Sequence, residues 1–254
     1  MGLSLATAEK WVERWENQQR HYAVDREDRF TVIADLVEHT TAGRPGRPLV
    51  VDLGCGPGSL AARLARRLPA ADIVAVDCDP LLLELARTHH ADAARYVDTV
   101  IGADGWTRAL FLDRPLDAAV STTALHYLEP PALLRTYRQL AALLRPGGVL
   151  VNGDHFPPGD PALAELTTAV GTRRAQRQRT QAHEDWNAWW SAVADDPECA
   201  DLLAERRHRQ SATGTDSAVR LSLPGHVDLL RRAGFGHAGA VWQYGDSAVL
   251  VAVR

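Results

Sequence analysis

Val51-Asp52-Leu53-Gly54-Cys55-Gly56-Pro57-Gly58-Ser59 is the stretch on which the reading of this chain turns. Just before it, residues 49–53 make a short β-branched run. Just after it, Leu60, Ala61, Leu64 and Leu68 recur at helical spacing over residues 57–68. The order is therefore strand, glycine turn, helix. At such a handover an open α/β sheet has the crevice in which it binds ligands. Glycines there allow positive φ and let a ligand touch backbone, and Pro57 suits a first helical turn. A dinucleotide fingerprint has the spacing G-x-G-x-x-G. Here the third glycine, Gly58, comes one residue early, which disfavours a pyrophosphate cradle.

Outward from this point the alternation repeats. Strand-like runs at residues 73–76, 96–101, 116–120 and 149–151 alternate with helical spacing at 80–89, near Thr107 and at 130–144. Such βαβ units predict a mostly parallel sheet with helices on both faces. Upstream, Ala8, Trp11, Val12 and Trp15 draw one apolar stripe over residues 6–17. A second helix covers about 29–39, and a turn-rich segment at 40–48 closes this helical preface of residues 1–47. The main domain is expected over 48–254. Within it the rhythm breaks at residues 157–215, an Arg-rich helical insertion with no strand run that suits a substrate lid. A helix at 223–233 follows, stopped by Gly234. Strands at 237–244 and 248–253 then join around Gly245-Asp246 as a tight antiparallel hairpin.

Composition narrows the function. The chain has 254 residues, 28 Lys+Arg against 32 Asp+Glu, 46% hydrophobic and 24% charged residues, which suits one large globular α/β domain. A formal charge of -4 gives no basis for a broad nucleic-acid surface. Cys55, Cys78 and Cys199 are widely spaced and form no CxxC pair, so neither a disulfide framework nor a zinc knuckle is expected. Glu9, Lys10, Glu13 and Arg14 interrupt the first residues, and no later run of about 18 apolar residues occurs. A soluble, cytoplasmic protein without a membrane partner is the expectation. The ten histidines never form H-E-x-x-H, and Asp154-His155 lacks a second pair at ligand spacing. Metal-independent chemistry is therefore expected.

Two further acids mark the strand ends. Asp77 lies about 20 residues beyond the loop, at the reach needed to accept hydrogen bonds from ribose hydroxyls. Its neighbour Asp79 precedes Pro80 and suits the N-cap of the next helix. After the third strand, Asp104 stands with Gly105 beside Trp106, a carboxylate next to an aromatic plane that suits an adenine edge.

Together these residues resemble the class I S-adenosylmethionine-dependent methyltransferases, over residues 48–153 and the terminal hairpin. The resemblance implies a Rossmann-like, seven-stranded, mostly parallel sheet of order 3-2-1-4-5-7-6 with strand seven antiparallel, helices on both faces and a helical lid. It implies that Asp52, Gly54, Gly56 and Gly58 wrap the methionine and ribose portions of S-adenosyl-L-methionine, that Asp77 holds the ribose, and that Asp104 meets the adenine. Cys55, Cys78, Gly105 and Trp106 belong to the same cofactor-facing set. Ser121 and Thr122 join it from the segment 116–128, which is similar to the family's strand four beneath the sulfonium. Residues 144–150, Leu-Arg-Pro-Gly-Gly-Val-Leu, are similar to its turn before strand five.

Methyl transfer to O, N or C of a small, natural-product-like acceptor, possible on an aromatic or heterocyclic ring, is the resulting expectation, with S-adenosyl-L-homocysteine as product. His126, Asp154 and His155 are the candidate catalytic residues. On a strand Asp154 and His155 point to opposite faces, so at most one of the two enters the pocket. Trp186, Trp189 and Trp190 fall on one helical face and read equally as lid core or as a flat wall for the acceptor. Tyr127 beside His126 joins the acceptor set. Tyr22 reads either as a cover over the methionine end and the acceptor or as a solvated helix end. The arginines at 173–179 read as a solvated face. A homodimer is compatible with all of this. Two rivals remain: a non-catalytic S-adenosylmethionine-binding partner subunit, and an NAD-dependent oxidoreductase, which the loop spacing and the hairpin disfavour.

Overall fold

The decisive run forms strand β1 (Leu49–Leu53), and all five of its residues are buried. The computed structural model describes residues 2–23, 25–177, 184–213 and 221–254. After β1 come β2 (Asp72–Asp77), β3 (Arg95–Asp98), β4 (Leu116–Thr122), β5 (Leu144–His155), β6 (His237–Tyr244) and β7 (Ser247–Val253). They form one seven-stranded sheet in the order β3-β2-β1-β4-β5-β7-β6. Strands β1 to β5 pair in parallel, while β7 runs antiparallel to both β5 and β6. This is the topology that the resemblance implied.

The sheet is apolar on both sides because each central strand feeds two cores. Leu49, Val51 and Leu53 of β1 pack with Trp106, Tyr137, Leu140, Leu229 and Leu230. These partners come from α5 (Trp106–Ala109), α6 (Pro130–Leu143) and α10 (Leu223–Ala233). Val50 faces the opposite core with Phe30, Ile33, Leu60, Leu64 and Leu83, from α2 (Arg26–Thr41), α3 (Ser59–Arg67) and α4 (Pro80–His89). Period-2 alternation is erased when both faces are dry, which is why these strands read as continuous apolar runs.

Two strands differ from the sequence expectation. β3 ends at Asp98 rather than running on to Ile101, because its partner β2 ends opposite it, Asp77 against Asp98. The chain then turns at Gly102, whose φ is 84°. β5 is longer than the run 149–151, since β7 supplies a ladder as far as His155 opposite Ser247.

The preface helices part company. α2 lies in the sheet core, whereas α1 (Leu5–Tyr22) packs outside α4 with the insertion. That insertion holds α7 (Ala164–Arg177), α8 (Trp186–Ala194) and α9 (Ala200–Thr213). Trp11 and Trp15 of α1 meet Trp189 of α8 edge-on, with ring centroids 5.7 and 5.1 Å apart. The Trp11 indole donates to Asp196 over 2.9 Å. Among the described residues no helix is long and apolar enough to cross a membrane.

Glu16 fastens α1 to the body of the fold. Arg26 of α2 and Arg63 of α3 donate to it over 2.5 and 3.0 Å, and both guanidiniums lie over the Phe30 ring. Burial acts to raise the Glu16 carboxyl, but Arg26 and then Arg63 outweigh it and hold it at about 2. A depressed carboxyl contributes stability that is present above its ordinary value and lost as pH falls through the folded one. Glu16→Gln should therefore destabilise the protein at pH 7 by about 3 kcal/mol in urea denaturation. The gap to the parent should close between pH 4.5 and about 2.

Candidate active site

The turn after β1 is built so that little but glycine fits. Gly54, Gly56 and Gly58 have φ of 72°, 53° and 84°. A Cβ on Gly54 would lie 2.2 Å from the Ala124 methyl, and one on Gly58 would lie 2.9 Å from the Tyr96 hydroxyl. The Gly54 and Cys55 amides both donate to the Val76 carbonyl over 2.8 and 2.9 Å, which pins the turn across the end of β2. Gly58 then caps α3 without a side chain.

Asp77, at the end of β2, accepts hydrogen bonds from the amides of Gly56 and Cys78, each over 2.7 Å, and of Asp79 over 3.0 Å. Asp79 caps α4 as expected, accepting from Leu81 and Leu82. Beneath the turn, Asp52 is fully buried, and neither of its carboxylate oxygens has a hydrogen-bond partner. Burial, reinforced by the charge of Asp77, pushes its carboxyl up to about 7. Asp104 and Gly105 lie on the turn after β3, with the Asp104 side chain exposed. Trp106 is not beside them in the crevice: it is 1% exposed, in the sheet core, and its indole donates to Gln139 over 2.7 Å. The Trp is buried because α5 must cover β1 and β4 from below. Strand register instead places Asp98 opposite Asp77.

At the end of β4, Ser121 is buried and donates to the Leu53 carbonyl over 2.9 Å, tying β4 to β1. Thr122 is half-buried, and Thr123 takes a φ of 49°, a strained value for a β-branched residue. The chain next makes a short turn of 3₁₀ helix, Leu125–Tyr127. That turn brings His126 against β5. His126 Nδ1 stands 3.0 and 2.9 Å from the two oxygens of Asp154, which is only 2% exposed. The Asp154 carboxylate also accepts the His155 amide over 2.8 Å. His155 points to the other face, where its Nδ1 lies 3.3 Å from Asp246 in the β6–β7 turn. The opposite-face argument thus separates Asp154 from His155, and the fold joins Asp154 to His126, 28 residues away in sequence. Tyr127 is exposed, its ring 4.3 Å from that of His126.

Comparison with known proteins now decides the family. A methyltransferase domain family matches residues 50–148. An uncharacterized methyltransferase of Mycobacterium tuberculosis is 41% identical over 200 residues, covering 78% of this chain and 88% of the relative. The chain is a class I S-adenosylmethionine-dependent methyltransferase. A trans-aconitate 2-methyltransferase of Rhodococcus jostii is 32% identical over 193 residues, covering 74% of this chain and 68% of the other. In fold the methyltransferase resembles magnesium protoporphyrin IX methyltransferase from Synechocystis PCC 6803 with bound S-adenosylhomocysteine. The TM-score is 0.57 at 16% identity, covering 96% and 94% of the two chains.

Above the crevice α1 and the insertion come together, a junction that no spacing within either segment announces. Trp15 of α1 reaches to 3.8 Å from where a Cβ on Gly56 would lie. Its ring meets Trp186 at 5.3 Å and Trp189 at 5.1 Å, so the expected Trp triplet of α8 becomes one cluster with α1. Trp189 is wholly buried in that lid core, and Trp190 lies beneath the Arg206 guanidinium at 3.7 Å. Trp186 is 40% exposed. Arg206 and Arg209 of α9 bind Asp79 and Asp98 over 2.6 and 2.8 Å, closing the insertion over the ends of β2 and β3. The arginines of α7 are not all solvated: Arg174 pairs with Asp28 and stacks on Tyr244, whose hydroxyl accepts from Arg177. Arg179 and the Tyr22 side chain lie outside the described residues. Gly54→Ala should destabilise the methyltransferase by about 2–5 kcal/mol, from left-handed strain plus the Ala124 overlap. Chemical denaturation compared with Gly43→Ala, a positive-φ site with open space around it, isolates the overlap.

Proposed function

We propose that the glycine turn, Asp77 and Asp104 seat S-adenosyl-L-methionine, and that the ends of β4 and β5 present a small-molecule acceptor with an ionisable O–H or N–H. The observation that carries the acceptor side is the His126–Asp154 pair. The fit to the cofactor rests on a glycine turn in which a Cβ on Gly56 would meet only Trp15, at 3.8 Å, so that a ligand can approach backbone there, and on carboxylates at the rim and beneath it. When bound, the cofactor supplies an electrophilic methyl group on a cationic sulfur.

Asp154 accepts a hydrogen bond from His126 Nδ1–H, which fixes the imidazole orientation and leaves Nε2 as the base. A base held in this way removes the acceptor proton as the new bond to carbon forms. Alignment of the acceptor supplies roughly 7–11 kcal/mol of the barrier, and the base adds about 10²–10⁴-fold. Tyr127 beside the imidazole and Trp186 on the lid offer exposed aromatic surface, which favours a flat acceptor of natural-product type. Nothing in this scheme calls on a metal.

A polycarboxylate acceptor is the second reading, suggested by the trans-aconitate relative. It draws on Arg29, buried on α2 against Gly153, and on His155 beside Asp246, which put a guanidinium and an imidazole at the end of β5. A carboxylate needs no base. On a phenol, amine and polycarboxylate panel, His126→Ala should lower kcat by about 10²–10⁴-fold while leaving cofactor affinity intact. An undiminished kcat on a polycarboxylate would favour the second reading, and cofactor binding with no turnover on the panel would favour a non-catalytic subunit. Asp77→Ala should weaken cofactor binding at least about tenfold in calorimetry, from the loss of charge-assisted hydrogen bonds.

A further inference from the structure

Asp52 is the carboxylate beneath the seat, and the scheme above gives its proton no role. It sits on β1 under the glycine turn, in register with Ala75 and therefore on the sheet face that also carries Asp77. Both its oxygens lack partners, whereas Asp77 next to it is supplied by three amides. A bare carboxylate in a dry site beside another carboxylate is a costly arrangement of charge. We propose that Asp52 carries a proton in the ligand-free enzyme and surrenders it when the cationic cofactor binds, so that this site distinguishes the sulfonium cofactor from its neutral thioether product. The inference rests on the cofactor seat proposed above.

The surroundings agree in sign. From β2 the carboxylate of Asp77 faces Asp52, from the turn the Cys55 thiol, and from β3 the Tyr96 phenol. Burial first, then Asp77 and Asp52, push the Cys55 thiol well up, so it stays neutral. Tyr96 is likewise held protonated, by burial and then by Cys55 and Asp52. Arg87 of α4 acts on the Cys55 thiol, and the Ala61 amide of α3 offsets part of the burial of Asp52. β4 contributes Val120, opposite Asp52 in register, and a Ser121 hydroxyl already given to Leu53. With a carboxyl at about 7, Asp52 is poised between its two states at neutral pH. A fixed positive charge entering the crevice favours the carboxylate, and the O–H proton passes to solvent. After methyl transfer that charge is gone from the bound product, and the proton returns.

The test is titration calorimetry of the full chain with S-adenosylmethionine and S-adenosylhomocysteine, in phosphate and in Tris at pH 7. The two buffers differ in ionisation enthalpy, so the difference in heat counts protons. Both ligands carry the same amino-acid end, so the product corrects for protons exchanged by the ligand amine. S-adenosylmethionine should release more protons than the product. Its affinity should rise about tenfold per pH unit below the Asp52 value and level off above it, with a flatter profile for the product. Asp52→Asn should abolish both the excess proton release and the slope, with circular dichroism confirming the fold. Equal heats in the two buffers with a flat wild-type profile would overturn the proposal while leaving the cofactor seat standing. Failure of S-adenosylmethionine to bind at any pH would overturn the seat as well.

Discussion

Contact between the first turn and the end of β4 governs this molecule. Gly54 and Ala124 come so close that a single methyl on the glycine would overlap the alanine. Because Ser121 also donates to the Leu53 carbonyl, β1 and β4 are locked together at the point where both strands end. The glycine turn and the 3₁₀ turn bearing His126 are thus one rigid feature. A methyl donor held by one and a base held by the other have their separation set by backbone, not by flexible side chains. That is the requirement of an in-line displacement, in which misplacement of about 1 Å is costly.

The rest of the chain can be sorted by whether it serves that feature from below or from above. From below, the two dry cores keep β1, β4 and β5 parallel and in register. Above it, α1 and the insertion form a layer with its own small core, in which tryptophans of α1 and α8 meet Leu81, Leu82 and Leu85 of α4. Arg206 and Arg209 hold α9 to Asp79 and Asp98, and Glu16 holds α1 to Arg26 and Arg63.

Much of this was legible in the chain itself, because periodicity reports local geometry. Residues 80–89, 223–233 and 237–244 were read with the boundaries that α4, α10 and β6 have, each marked by a proline, a glycine or a sharp change of period. Where the reading slipped, the deciding partner was distant. β3 looked two or more residues longer than it is because Val100 and Ile101 have strand character, but a strand lasts only as long as its neighbour, and β2 stops at Asp77. Trp106 looked like a binding platform from its place beside Asp104, yet it packs in the core that also holds Leu49, Val51 and Leu53 of β1. Trp15 seemed only part of a stripe. Its role over Gly56 depends on α8, some 170 residues on, and no spacing within α1 encodes that. His126 and Asp154 were each singled out, but only the parallel pairing of β4 and β5 makes them a pair.

Charge ties these parts into one argument. The crevice has acids beneath and around the glycine turn, Asp52 and Asp77, and a third carboxylate, Asp154, behind His126. Burial raises the Asp77 carboxyl, and the amides of Asp79, Gly56 and Cys78 act against it. Against the burial of Asp52 only the Ala61 amide acts. A site in which Asp52 takes back a proton binds a cation without leaving two bare carboxylates buried together when that cation departs, a cost that burial in a low-dielectric interior would otherwise impose on the empty enzyme.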